Sequence, residues 1–224
     1  MTIRNTAKRL VLAPFSAVFS QPRAKGQIAL TFDDGPDPEF TLQVSGALKT
    51  AGAKATFFLV GENMRRFPEI VHQLHRDGHE LGSHSLSHPE IKGLPSRCLP
   101  DQVEAMYLMK LPDGSPAISN RYFRPPKGVI SPVLVAFCWR RNIRLVFWNR
   151  DPEDYKADSA QQILDYFKTQ PPRSGDIILL HDNSPHIVGA LPKLLALLQS
   201  MKLQPVTVSE LIGTRSISAS DAAN

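Results

Sequence analysis

A parallel α/β architecture, built as an open doubly wound sheet or as a barrel, is what this sequence predicts. Three observations carry that expectation. About seven short apolar runs alternate with helix-like segments between residues 27 and 207. No internal repeat and no linker long enough to divide the chain interrupts that rhythm. The chain has 224 residues, 42% hydrophobic and 21% charged, an ordinary globular composition with enough length for one real core.

The elements follow in order. Residues 27–32 form an apolar strand, and 40–51 a helix with Val44, Leu48 and Ala51 on one face. Residues 53–60 make the second strand. Residues 63–77 read as one helix with Ile70, Val71 and Leu74 inward, closed by Gly78 where a helix end favours glycine. Residues 80–84 are a strand, 85–98 irregular, and 101–109 helical. A Pro/Gly-rich loop at 112–116 precedes a short strand at 121–123 and a helix at 132–139. Strands at 143–148 and 176–180 flank a helix at 160–169. A helix over 189–201 leads to a last strand at 204–207, and the Ser/Ala-rich tail from Thr214 reads as frayed.

Composition excludes several classes. No stretch reaches the roughly 18 unbroken apolar residues of a membrane-spanning helix. Two cysteines, Cys98 and Cys138, rule out a disulfide scaffold and a cysteine-rich zinc module, and leave their own pairing open. The 26 Lys+Arg against 21 Asp+Glu give a net charge of +5. The basic residues are scattered as pairs (Lys8-Arg9, Arg65-Arg66, Arg140-Arg141), which reads as solvated surface charge, and no nucleic-acid partner is expected.

Residues 1–25 stand apart. Arg4, Lys8 and Arg9 precede Leu10-Val11-Leu12-Ala13, an arrangement like the start of a signal peptide, with Val18-Phe19-Ser20 as a conceivable cleavage site. Pro14 and Ser16 break the apolar run. The preferred reading is a segment that packs on the domain or lies at a membrane surface, with the cytoplasm ahead of export and localisation open. Membrane association is expected only through this segment.

Five motifs carry chemistry. Thr31-Phe32-Asp33-Asp34-Gly35-Pro36 puts two carboxylates at a strand's C-terminal end, where α/β folds place their sites; the competing reading is an Asp pair capping the next helix. His84-Ser85-Leu86-Ser87-His88 offers two imidazoles that can converge on one metal. One carboxylate plus two imidazoles leaves open positions on a divalent ion and one Asp free as a base. Arg124-Pro125-Pro126-Lys127-Gly128 fixes its backbone by two prolines. Trp148-Asn149-Arg150-Asp151-Pro152-Glu153-Asp154-Tyr155 is an acidic segment after a strand. Ile177-Ile178-Leu179-Leu180-His181-Asp182-Asn183 is a buried-type strand ending in His-Asp. His72, His75, His79 and His186 read as structural.

Together these residues resemble the NodB-homology polysaccharide deacetylases, carbohydrate esterase family four. The resemblance spans roughly residues 26–212, and includes Ala55-Thr56-Phe57-Phe58-Leu59-Val60-Gly61 and Gly78-His79-Glu80-Leu81-Gly82-Ser83-His84. It implies a distorted (β/α) barrel as the catalytic domain, with residues 1–25 and 213–224 outside it. It implies Asp34, His84 and His88 as ligands of a divalent metal, zinc first, with cobalt, nickel and manganese also suited. Asp33 resembles the catalytic base and Arg124 its partner. His181 resembles the general acid, with Asp154 orienting it. Tyr155 and Leu179 match residues that form the acetyl pocket. Lys127, whose backbone N–H is the expected oxyanion donor, replaces the family's usual aromatic, and Tyr155 replaces its usual Trp. The implied activity is removal of N-acetyl groups from N-acetylglucosamine units of an oligo- or polysaccharide. The competing readings are an O-acetyl glycan esterase and a catalytically inactive glycan-binding protein. Oligomeric state is not legible.

Overall fold

The computed structural model of the chain describes Leu12 and residues 17–213. At its centre is a curled, all-parallel sheet of β1 (Gln27–Asp33), β2 (Thr56–Leu59), β3 (Glu80–Ser83), β4 (Tyr122–Phe123), β5 (Arg144–Leu145), β6 (Ile177–His181) and β7 (Gln204–Val206). The order is β5-β4-β3-β2-β1-β6, and β7 pairs with the start of β1. Between β5 and β6 the sheet narrows to one bridge, Arg150 to Ile178, with Leu179 N–H donating to the Arg150 carbonyl at 2.9 Å. The expected distorted (β/α) barrel is thus a sheet curled most of the way round.

Central strands covered on both faces are apolar without alternation. β1 is buried from Ile28 to Asp33, and Phe32 stacks on Phe57 of β2. Around the sheet lie α1 (Thr41–Thr50), α2 (Gly61–Arg66), α3 (Pro68–Arg76), α4 (Pro132–Arg140), α5 (Ala160–Thr169), α6 (Pro185–Ser200) and α7 (Val208–Ile212). Ser131, Ser159, Ser184 and Thr207 cap α4, α5, α6 and α7, each accepting from a first-turn N–H. The main core joins Leu30, Phe32 and Phe57 of the sheet to Leu48 of α1 and Leu191, Leu194 and Leu198 of α6.

Several boundaries differ from the sequence reading. The single helix over 63–77 is two, α2 and α3, because Pro68 opens a new helix and Phe67 leaves helical geometry at φ −131°, ψ 57°. The helix over 101–109 is a wide turn at Pro100–Glu104 followed by a tight one at Ala105–Leu108. The Gln102 carbonyl, which a regular helix would offer to residue 106, accepts from Leu86 N–H at 3.0 Å. Ala51 is exposed rather than inward, since α1 stops at Thr50 and Ala51 is its C-cap. α6 begins at Pro185 rather than 189, because Ser184 caps it and proline takes the first helical position. The strand over 143–148 keeps only Arg144–Leu145; Val146 still donates to the Phe123 carbonyl at 3.0 Å and forms an isolated bridge with Val18.

That last contact belongs to the N-terminal segment. Phe19 stacks on Phe147 with ring centroids 4.7 Å apart, and Gln21 N–H donates to the Gly175 carbonyl at 2.8 Å. Residues 18–21 therefore lie across the narrow side of the barrel, between β5 and the start of β6. The Arg4–Arg9 basic cluster, most of the apolar run that follows it, and the tail from Thr214 lie outside the described residues. Cys98 and Cys138 are both free thiols, and burial pushes the Cys138 thiol up to about 12. Among the described residues no helix is long and apolar enough to cross a membrane.

Candidate active site

The strands all point one way, so their C-terminal ends form one rim, and the five motifs meet there. Asp33 is the last residue of β1 and lies in register with His181, the last residue of β6. His84 follows β3 and Arg124 follows β4. A cavity of about 460 Å³ at this rim is lined by Asp33, Asp34, His84, His88, Lys127, Tyr155, Leu179 and His181, all singled out from sequence. Arg124 and Asp154 stand behind this lining, 0% and 2% exposed. Trp148 and Asp151 also line the cavity and were not singled out individually. Their signal is the one that found the others, polar and aromatic side chains just past a strand end.

Arg124 holds Asp33. Its Nη1 donates to Asp33 Oδ1 at 2.7 Å and to Thr31 Oγ1 at 2.8 Å. Its Nε and Nη2 donate to the carbonyls of Val146 and Phe147, each at 3.2 Å, and the guanidinium lies 4.1 Å above the Phe58 ring. A buried guanidinium with its donors spent on carbonyls and one carboxylate has a single geometry. Asp33 Oδ2 remains turned into the site, 3.7 Å from His84 Nε2.

His181 is held on its other side. Asp154 accepts from the His181 backbone N–H at 2.7 Å through Oδ2, and Asp154 Oδ1 lies 2.9 Å from ring Nδ1. Burial alone would lower this imidazole, but the Asp154 hydrogen bond and charge outweigh it, with Asp33 and Asp34 adding to them, and hold it at about 9. Tyr155 meets the ring edge-on at 5.2 Å between centroids.

Asp34, His84 and His88 form the one group of potential metal ligands found among the described residues, with ligand atoms within 4.8 Å of one another. Asp34 Oδ1 is 3.5 Å from both His84 Nε2 and His88 Nε2. Tetrahedral bonds of ~2.0–2.1 Å put ligand atoms about 3.3–3.4 Å apart, so the set fits a zinc-sized ion. Tautomers agree with this. His84 Nδ1 lies 2.8 Å from the Arg124 carbonyl, which can only accept, so the proton is on Nδ1 and the Nε2 lone pair faces Asp34. Burial pushes the His84 imidazole down, toward the neutral form a metal requires.

Backbone strain gathers at this rim. Asp34, Ser85, His88, Lys127 and Glu153 all have positive φ, between 53° and 76°. Such conformations cost about 1–3 kcal/mol each and persist where the surroundings enforce them. His79, by contrast, is buried in the core 3.1 Å from Ser45 Oγ and receives Ala55 N–H at 3.3 Å; burial pulls it down to about 4, a neutral structural histidine.

The chain is similar to known proteins in sequence and in fold. Residues 20–138 match the sequence pattern of the polysaccharide deacetylase family. The chain is 34% identical over 206 residues to a peptidoglycan-N-acetylglucosamine deacetylase of Bacillus cereus, spanning 89% of this chain and 73% of that protein. It is 33% identical over 159 residues to a chitooligosaccharide deacetylase of Sinorhizobium fredii, spanning 70% of this chain and 73% of the relative. A crystal structure of a peptidoglycan N-acetylglucosamine deacetylase, solved with 4-naphthalen-1-yl-N-oxidanyl-benzamide, superposes with a TM-score of 0.84 at 32% identity, covering 92% of this chain and 97% of the other.

Proposed function

Because the chain belongs to the polysaccharide deacetylase family, of NodB-homology type, we propose that it removes N-acetyl groups from N-acetylglucosamine units of an oligo- or polysaccharide, with a divalent metal at Asp34, His84 and His88. One observation carries this reading: a carboxylate held by arginine and an imidazole held by carboxylate end adjacent strands, beside a three-residue ligand set. Zinc is the first choice, with cobalt, nickel and manganese also compatible with two imidazoles and a carboxylate.

When bound, such an ion lowers the pKa of water toward about 7 and polarises an acyl oxygen. The protein's own groups do the rest. Asp33 takes the proton of the attacking water at Oδ2, its other oxygen being committed to Arg124. The Lys127 backbone N–H donates to the oxygen on which charge develops, an interaction worth about 3–4 kcal/mol of barrier in comparable sites. His181 delivers a proton from Nε2 to the leaving amine, with Nδ1 fixed by Asp154. Leu179 and Tyr155 line the cavity where the acetyl methyl group would rest. Acetate and a glucosamine unit leave.

Mass spectrometry of N-acetylglucosamine oligomers incubated with zinc-loaded protein tests this. Wild type is expected to release acetyl groups. Asp33→Asn is expected to bind zinc and lose about 10²–10⁴-fold in rate, the usual worth of a positioned base. His84→Ala is expected to lose the metal. A near-normal rate in Asp33→Asn would remove the base assignment, and release from O-acetylated glycans alone would replace the amide substrate by an ester.

A further inference from the structure

The turn that carries Asp34 is gripped from two sides. On one side Val60 N–H donates to the Gly35 carbonyl at 2.8 Å, and the Asn63 amide donates to the Asp34 carbonyl at 3.0 Å. On the other side stands Asp182, the residue after His181 and fully buried. Its Oδ2 accepts from the Thr41 hydroxyl at 2.6 Å, and Thr41 Oγ1 accepts in turn from Asp37 N–H at 2.7 Å. Both carboxylate oxygens press on Gly35: a Cβ there would lie 2.4 Å from Oδ2 and 2.6 Å from Oδ1. Glycine at 35 is therefore required by a close approach.

Among the described residues Asp182 Oδ1 has no hydrogen-bond partner. A buried acceptor without a donor destabilises a fold, and an apolar side chain of similar size would fill the same space at less cost. Stability does not account for a carboxylate at this position. Asp34, meanwhile, holds φ 76°, a conformation a non-glycine residue keeps only where neighbours enforce it.

We propose that Asp182 is a positioning residue for the metal-binding turn: wedged between Thr41 and Gly35, it pins the turn against Val60 and Asn63 and aims the Asp34 carboxylate at His84 and His88. The inference rests on the functional reading of those three residues as ligands. Asp182 acts through Gly35 and Thr41 and touches no substrate.

The test measures zinc affinity by competition with a chromophoric chelator, alongside kcat and KM on N-acetylglucosamine oligomers. Asp182→Ala is expected to weaken zinc binding and lower kcat at least tenfold each, with KM within twofold. Asp182→Asn keeps the wedge and its acceptor for Thr41, and is expected to restore both to within about threefold of wild type. Thr41→Val is expected to lose part of both, and Thr41→Ser neither. Should the alanine variant fail to fold, the Thr41 pair decides. Zinc affinity unchanged in Asp182→Ala and Thr41→Val overturns the proposal, and so does a fall in kcat without a fall in zinc affinity. A wild-type protein that binds no zinc would overturn the functional reading itself, whereas zinc-binding wild type with indifferent variants overturns only the wedge.

Discussion

Two buried ion pairs end neighbouring strands, and they use the same parts in opposite senses. In the first, Arg124 holds Asp33 at 2.7 Å; in the second, Asp154 holds His181 at 2.9 Å. Each is a carboxylate against a nitrogen cation in a place shielded from water. What differs is which member is locked. Arginine cannot give up its proton near neutrality, so the first pair sets a carboxylate against a fixed cation, with Oδ2 left to receive a proton in the proposed reaction. Histidine can, so the second pair holds an imidazole charged and leaves Nε2 free to release a proton. In the proposed mechanism a base and an acid thus arise from similar components, set apart by the partner behind each.

The largest expected effect comes from breaking the first pair. Arg124→Gln leaves Asp33 buried without its cation, and losing one partner of a buried pair costs about 3–5 kcal/mol. For a chain of this size that corresponds to a fall in melting temperature of about 6–20 °C, read by thermal denaturation. A variant that melted within a degree or two of wild type would show that Arg124 is not what keeps the buried charge tolerable.

Breaking the second pair should cost less stability and move the opposite limb. The His181 imidazole is raised to about 9 in the folded protein against an ordinary 6.5. The stability this raised value contributes is complete below 6.5 and is lost as pH rises through about 9. Asp154→Asn removes the main charge holding the value up and leaves burial, which pulls it down. The alkaline limb of kcat/KM should therefore shift by more than one unit toward neutrality, with kcat lower at pH 8 and less affected at pH 6. An alkaline limb that stayed in place would assign it to a group other than His181.

Much of this was legible in the sequence for a simple reason. Parallel strands buried on both faces are continuous apolar runs, and the polar residues that stop them, Asp33, His84, Arg124 and His181, come together at the candidate site. The expected helix at 63–77 divides in two because apolar periodicity persists across Pro68 while backbone hydrogen bonding does not. The irregular turns at 100–108 answer to a bond from Leu86, a contact between separate segments. Asp182 follows His181 in the sequence, yet the hydroxyl it accepts from, Thr41, lies 141 residues earlier. Periodicity reports which face of an element is buried; it does not report which distant backbone a side chain leans on.

Lys127 lines the same cavity as Asp33 and His181, and here the smallest effect is expected. Its backbone is held in the left-handed region at φ 54°, ψ 16°, while its side chain reaches outward to within 3.4 Å of Glu90. Both side chains of that pair are well over half exposed, at 68% and 60%. An exposed pair of this kind contributes about 0.2–1 kcal/mol, at most about fivefold in an equilibrium. Lys127→Met keeps the backbone N–H, so kcat on N-acetylglucosamine oligomers should stay within twofold. KM should move by no more than about fivefold, and the shift should shrink in high salt, as screening of an exposed charge requires. A tenfold loss of kcat would mean that the ammonium group itself meets developing charge at the reacting carbonyl. The site would then hold a third charged participant, and the division of labour between Asp33–Arg124 and His181–Asp154 would no longer describe it.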